Sequence, residues 1–63
     1  MFGSREKREA RAQTYESKAR EHYARAQKEA NKGNEAEAFK ALSASASLAE
    51  AARLTRLTGK PYL

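Results

Sequence analysis

Residues 38–52 read AFKALSASASLAEAA, and this stretch decides how the chain can pack. Between Leu42 and Leu48, serine and alanine alternate, so no side chain there is larger than a hydroxymethyl group. The stretch lacks the β-branched and aromatic residues that favour strands, and its apolar positions recur at steps of three and four, which predicts a helix. A helix with so little bulk packs best where two backbones approach closely.

A glycine-containing turn divides the chain. Residues 31–34 read NKGN, and Gly33 suits the left-handed position that ends a helix. Asn34, with Glu37 three residues later, has the pattern of a capping box that begins the next helix. Good helix formers dominate on both sides. A turn this short permits only antiparallel packing of the two helices.

The outer ends of the two helices carry similar signals. Ser4 stands before a run of charged residues and is a candidate N-cap. Gly59, followed closely by Pro61, is typical of a helix end. The sequence therefore predicts a single domain over 1–63. We expect helices at about 4–32 and about 35–58, a turn at 31–34 and a short C-terminal tail at 59–63.

The predicted fold class is all-α: an antiparallel two-helix hairpin. Two helices cannot enclose a core, so we expect two hairpins to close into a four-helix bundle by homodimerisation. Docking on a different protein and a marginally stable monomer are the alternatives. The predicted self-association or partner interface is an Ala/Ser-rich face comprising Ala12, Tyr15, Ala19, Tyr23, Ala26, Ala38, Phe39, Leu42, Ser45, Leu48, Ala49 and Ala52. We expect the buried serine hydroxyls to bond to carbonyl groups four residues earlier.

Composition argues against several classes of protein. There is no cysteine and only one histidine, so we expect no disulfide, no metal site and no cofactor. The chain opens on Met1 with charged residues soon after, and it has no run of about 18 apolar residues, so we expect an intracellular, cytoplasmic protein without a membrane span. We expect no enzymatic activity, because His22 is the only plausible base and it falls on the apolar face.

The net charge of +5 is unevenly distributed. Residues 1–11 and 53–63, which meet at the open end of the hairpin, hold all of the excess. On the first helix a largely basic stripe follows steps of four and three: Lys7, Arg11, Thr14, Lys18, Glu21, Arg25, Lys28 and Lys32. Such a stripe is either a track for phosphates or a solvated face with glutamates nearby. The candidate residues for an anionic partner, most simply nucleic acid, are Lys7, Arg8, Arg11, Lys18, Arg25, Arg53 and Arg56.

Residues 22–49, HYARAQKEANKGNEAEAFKALSASASLA, resemble a single tetratricopeptide-type or MIT-type helical hairpin. The similarity lies in Ala26, the Gly33-Asn34 turn, Ala38 and Leu42. It implies a protein-interaction adaptor or small inhibitor that docks the apolar face of its second helix on another protein. The sequence thus leaves two hypotheses: a self-associating hairpin that binds an anionic partner, and a protein-docking module that can also use 61–63.

Overall fold

The computed structural model describes the backbone of residues 2–59 and the side chains of residues 5–59. Helix α1 spans Phe2–Asn31 and helix α2 spans Glu35–Thr58, and the two pack side by side. The predicted all-α hairpin is confirmed. The Cα trace is a flat plate of 49 by 17 by 9 Å, with two broad faces. Met1 and residues 60–63, which include most of the predicted tail, lie outside the described residues.

Helix α1 starts earlier than expected. It begins at Phe2, so Ser4 lies inside the first turn and does not precede the helix as an N-cap would. The prediction of a cap at Ser4 is therefore wrong, because Phe2 and Gly3 already follow the helical backbone.

The turn closes through its backbone. Gly33 has φ of 84°, the left-handed conformation that its position predicts. The N–H of Asn34 donates to the carbonyl of Glu29 at 2.9 Å, and the N–H of Gly33 donates to the carbonyl of Ala30 at 3.0 Å. These two bonds form a Schellman motif, which satisfies carbonyl groups that the helix end would otherwise leave unpaired.

The capping box predicted at Asn34 does not form. Asn34 occupies the N-cap position of α2, but its side chain makes no capping bond there. Its amide nitrogen donates instead to Glu29 Oε1 at 2.9 Å, and Glu37 lies near Lys40. A hydrogen bond to an ionised carboxylate is stronger than one between neutral groups, so the side chain of Asn34 turns back toward α1.

The helices meet along a line of small residues that we call the alanine seam. From α1 it contains Ala12, Ala19 and Ala26, which are buried and spaced by seven residues. From α2 the buried members are Ala41, Ala51, Ala52 and Thr55. Ser45 and Leu48, which are half-buried, complete a run from 41 to 55 at steps of four and three. Such a repeat is that of an antiparallel coiled coil, in which the contacting positions recur every 3.5 residues on average.

Ser45 shows how closely the backbones approach. Its Oγ donates to the carbonyl oxygen of Ala19 on the other helix at 2.8 Å. A side chain this short reaches a neighbouring backbone only when nothing bulky lies between the helices. The expectation that this hydroxyl bonds to a carbonyl four residues earlier in its own helix is therefore wrong, since it donates across the seam.

On α2, the seam does not coincide with the predicted interface, which included Leu42 and Ala49. Leu42 is 46% exposed and Ala49 is also exposed, whereas Ala41 and Thr55 are buried. Bulky side chains on the contact line would hold the backbones apart and break the Ser45 contact. Apart from Leu48, which is half-buried in the seam, the larger apolar residues of α2 therefore lie beside it.

Gly59 lies at the open end of the hairpin, where α2 ends. This residue ends α2 with φ of 80°, and its N–H donates to the carbonyl of Thr55 at 2.8 Å. A β-carbon at this position would lie 3.3 Å from Arg8 Nε. The absence of a side chain therefore lets the guanidinium of Arg8 pack against the end of α2.

Candidate interaction surfaces

Helical geometry assigns the flanks of α1 to the two broad faces of the plate. Residues four positions after each seam alanine of α1 lie on one flank; they are Glu16, Tyr23 and Ala30. Residues three positions after each alanine lie on the opposite flank; they are Tyr15, His22 and Glu29. Arg11, Lys18 and Arg25, each directly before a seam alanine, share this second flank. One face is therefore mostly apolar and the other is basic.

The apolar face consists of Tyr23 and Ala30 from α1 with Phe39, Leu42 and Ala49 from α2. Tyr23, Phe39 and Leu42 are 50%, 70% and 46% exposed, respectively. Near the turn, Tyr23, Ala30, Phe39 and Leu42 line one shallow groove between the helices. This is a compact group of large apolar side chains that the hairpin itself does not cover.

Toward the open end, the apolar face continues into a group of charges that we call the Arg56 cluster. Arg56 donates to Glu9 through Nε at 3.0 Å and Nη2 at 2.9 Å, and to Glu16 through Nη2 at 2.9 Å. These bonds join the helices because both glutamates belong to α1. Hydrogen bonding from Arg56 lowers the pKa of the Glu9 and Glu16 carboxyls below the ordinary value.

The basic face is formed chiefly by Arg11, Lys18 and Arg25. His22 and Arg25 border one concave surface with Glu37, Lys40, Ala41 and Ala44 of α2, and Glu37 pairs with Lys40 there. The rest of α2 on this face carries small or apolar residues, among them Ser47, Ala51 and Leu54. Beyond the Glu37–Lys40 pair, a cationic edge on α1 therefore adjoins an uncharged strip on α2.

The cations of the basic face form no salt bridges among the described residues, although the charge of Arg25 helps to lower the pKa of Glu29 on the same flank. Within residues 5–59, the ion pairs that include a basic group use Lys32, Lys40, Arg53 and Arg56, and none uses Arg11, Lys18 or Arg25. The spacing of Glu16 with Arg20 and of Glu21 with Arg25 favoured pairs along α1. Glu16 pairs across the seam with Arg56 instead.

The structure separates the seven residues predicted to bind an anionic partner. Lys7, Arg11, Lys18 and Arg25 are exposed along α1, and Arg8 is half-buried against Gly59. Arg53 pairs with Glu50, its Nε donating to Oε1 at 3.1 Å, and Arg56 belongs to its cluster. The last two therefore do not share a surface of free charge with the others.

The residues of the predicted interface also divide. Ala12, Ala19, Ala26 and Ala52 are buried in the seam, and Ser45 and Leu48 line it. Tyr23, Phe39, Leu42 and Ala49 lie on the apolar face. Of the other two, Tyr15 and Ala38, both half-buried, Tyr15 is on the basic flank and Ala38 borders the groove.

Sequence reasoning missed the Arg56 cluster and the seam positions Ala41, Ala51 and Thr55. The seven-residue interval between Glu9 and Glu16 was a signal for the cluster, because it matches the interval of the seam alanines. The four-three spacing from Leu48 through Ala52, which was predicted, was a signal for Thr55.

The described part of the chain has neither a membrane-spanning helix nor a cluster of metal ligands. Neither helix is long and apolar enough over its described residues to cross a bilayer. Among those residues, no three His, Asp or Glu side chains are grouped so that they could hold a metal ion.

Comparison with known proteins gives no relative from which to transfer a function. No protein-family model, no curated protein and no solved structure matches the chain. The similarity of residues 22–49 to tetratricopeptide-type and MIT-type hairpins receives no support from these comparisons, and the case for function is carried by the two faces.

Proposed function

We propose that this chain is an intracellular, non-enzymatic helical hairpin that self-associates and binds the phosphate backbone of a nucleic acid through its basic face. The observation that carries the proposal is the row formed by Arg11, Lys18 and Arg25, exposed and without ion-pair partners among the described residues. Seven helical residues rise about 10.5 Å, so the row presents cations in line at regular intervals.

The cost of contacting phosphate differs between the basic residues. Arg53 and Arg56 would have to leave carboxylates before they could bind an anionic partner. The cations of the row lose only hydration and bound counterions, whose release favours binding to a polyphosphate. The small side chains Ala44, Ser47 and Ala51 beside the row leave room for a phosphate backbone to approach.

Fluorescence anisotropy of labelled duplex DNA, duplex RNA and single strands tests the proposal, with unlabelled poly-glutamate as a competitor. We expect at least one nucleic acid to bind at low salt and to be released as salt rises. The variant Arg11→Gln/Lys18→Gln/Arg25→Gln should bind roughly tenfold more weakly or worse. Its plot of log affinity against log salt should be shallower by about two to three, because three phosphate contacts are lost.

A matched control removes three basic residues from elsewhere: Arg5→Gln/Arg20→Gln/Arg53→Gln. Both variants have the same net charge, and glutamine is a good helix former. Equal loss of affinity in the two variants would attribute binding to overall charge and contradict a role for the basic face. So would complete release by poly-glutamate at an equivalent charge concentration.

The apolar face favours a second candidate function, docking of α2 on another protein. Its specific support is Phe39, which is 70% exposed beside Leu42 and Tyr23. In affinity capture after nuclease treatment, this function predicts a protein that wild type retains, that Phe39→Ser loses and that the basic-face variant still retains. Loss of that protein from the basic-face variant as well would reject it.

A further inference from the structure

We infer that a second copy of this chain covers the apolar face, so that the two hairpins pair back to back and their basic faces point outward on opposite sides. Such a dimer carries two separate phosphate-binding faces and bridges two nucleic-acid segments. The pairing rests on the apolar face alone, whereas the bridging rests on the proposed function of the basic face.

The core of one hairpin is small. Among the described residues, the largest fully buried side chain is Thr55, and every other buried residue is an alanine. Full burial of a leucine or phenylalanine side chain contributes about 1.5–3 kcal/mol, and among the described residues no such side chain is fully buried. A chain of this length usually needs oligomerisation or another staple. A second copy is the partner that is present whenever the chain itself is present.

The extent of the broad face also favours a second copy. The face measures 49 by 17 Å. A stable interface of standard size buries about 800 Å² of accessible surface on each partner, and a face of this extent has room for one. A peptide confined to the groove near the turn would cover only part of it.

Charge also favours pairing through the apolar face. A molecule with net charge +5 repels its own copy unless the approach avoids its free cations. Arg11, Lys18 and Arg25 lie on the opposite face. Arg20, one position after Ala19, lies on the apolar flank, where its charge helps to lower the pKa of Glu16. On the apolar face, Arg56 is matched by Glu9 and Glu16. Back-to-back pairing buries the exposed apolar side chains and keeps the two cationic rows on opposite sides of the dimer.

Sedimentation equilibrium at micromolar to millimolar concentrations tests the pairing. Wild type should show twice the mass of one chain. Leu42→Asp places a charge on the apolar face and should weaken self-association at least tenfold. Ser43→Asp places the same charge at an exposed neighbouring position away from the groove and should not. Circular dichroism at high concentration checks folding, and Phe39→Ser, at a more exposed site, is the second variant if Leu42→Asp loses helix.

Energy transfer between donor-labelled and acceptor-labelled duplexes tests the bridging. Wild type should bring the two duplexes together, and Leu42→Asp should lose the transfer while still binding a single duplex by anisotropy. The basic-face variant should keep the mass of a dimer and lose both binding and transfer.

Each failure has a distinct meaning. A wild-type mass of one chain throughout, or a Leu42→Asp variant that stays dimeric, overturns the pairing. A dimer that binds nucleic acid but gives no transfer overturns the outward arrangement of the basic faces. A dimer that binds no nucleic acid overturns the proposed function and the bridging, while the pairing of the apolar faces still stands.

Discussion

The two broad faces of the hairpin share the same helices and the same seam. They differ in whether their basic residues form salt bridges with carboxylates. On the apolar face, Arg56 is held by two glutamates from the other helix, and large apolar side chains fill the space toward the turn. On the basic face, Arg11, Lys18 and Arg25 are exposed and form no salt bridges among the described residues.

This difference arises from spacing alone. On α1, a residue four positions after a seam alanine falls on one face, and a residue three positions after or one before falls on the other. Glutamates at 9 and 16 therefore neutralise only the apolar face. The charge of each face therefore depends on the register of its charged residues against the seam.

The largest expected effect comes from breaking the seam, on which both faces depend. Replacing Ala19 by leucine would force the helices apart where Ser45 contacts the backbone. Overpacking of this kind costs about 1–3 kcal/mol, a large share of what so small a core can supply. Urea denaturation followed by circular dichroism should show a much lower midpoint.

The control for that variant is Ala24→Leu. Ala24 is exposed on the same helix, and leucine is nearly as good a helix former as alanine. Equal midpoints for the two variants would mean that the seam is not closely packed.

A substitution at Ser45 tests the close approach of the two helix backbones and should have a smaller effect on stability. Ser45→Ala removes the hydrogen bond to the carbonyl of Ala19 and leaves the seam otherwise intact. Ser47→Ala, at an exposed position, gains the same helix propensity without losing this bond. We expect Ser45→Ala to be less stable than Ser47→Ala by about 1 kcal/mol in urea denaturation. Identical values would contradict a direct bond across the seam.

A substitution at Thr55 should increase the stability of the hairpin, by less than the losses expected above. Its side chain is fully buried, and its Oγ1 has no hydrogen-bond partner. Thr55→Val keeps the shape and removes the unpaired polar atom, so we expect an increase in stability of about 0.5–1 kcal/mol. A fall in the thermal midpoint would show that the hydroxyl is paired in solution.

The smallest expected effect is a pH dependence of stability that comes from the Arg56 cluster on the apolar face. Because the pKa values of Glu9 and Glu16 are lowered in the folded chain, their contribution to stability is present at neutral pH. It is lost as the pH falls below about 4 through those lowered values. Thermal midpoints at pH 7 and pH 3 should differ more for wild type than for Arg56→Gln.

Glu29 and Glu50, which also have lowered pKa values, are unchanged by Arg56→Gln. They account for the pH dependence of the thermal midpoint that remains in the variant. If Arg56→Gln and wild type showed the same pH dependence, the Arg56 cluster would not stabilise the hairpin.

Local signals were enough to predict the two helices and the turn. The left-handed conformation of Gly33 and the end of α2 at Gly59 follow from residue chemistry over a few positions. The composition of the first helix likewise pointed to a cationic edge.

The orientation of α2 about its axis could not be predicted in the same way. Hydrophobicity ranks Leu42 above Ala41, so a stripe chosen by apolar character passes through the leucine. Close approach of the backbones reverses that order, because the smaller side chain fits the contact line. The Arg56 cluster was missed for a related reason, since it joins residues 40 and 47 positions apart whose alignment depends on the seam.

The turn gives this molecule a convenient attachment point. A β-carbon at Gly33 would meet nothing within 4 Å, and the backbone there closes on itself without help from either face. A few inserted residues carrying a dye or an affinity tag would project from the end of the plate. Doubling a flexible connection costs only about 0.6 kcal/mol in closure entropy. Insertions of graded length would then measure the distance between the two nucleic-acid segments in the dimer that we propose.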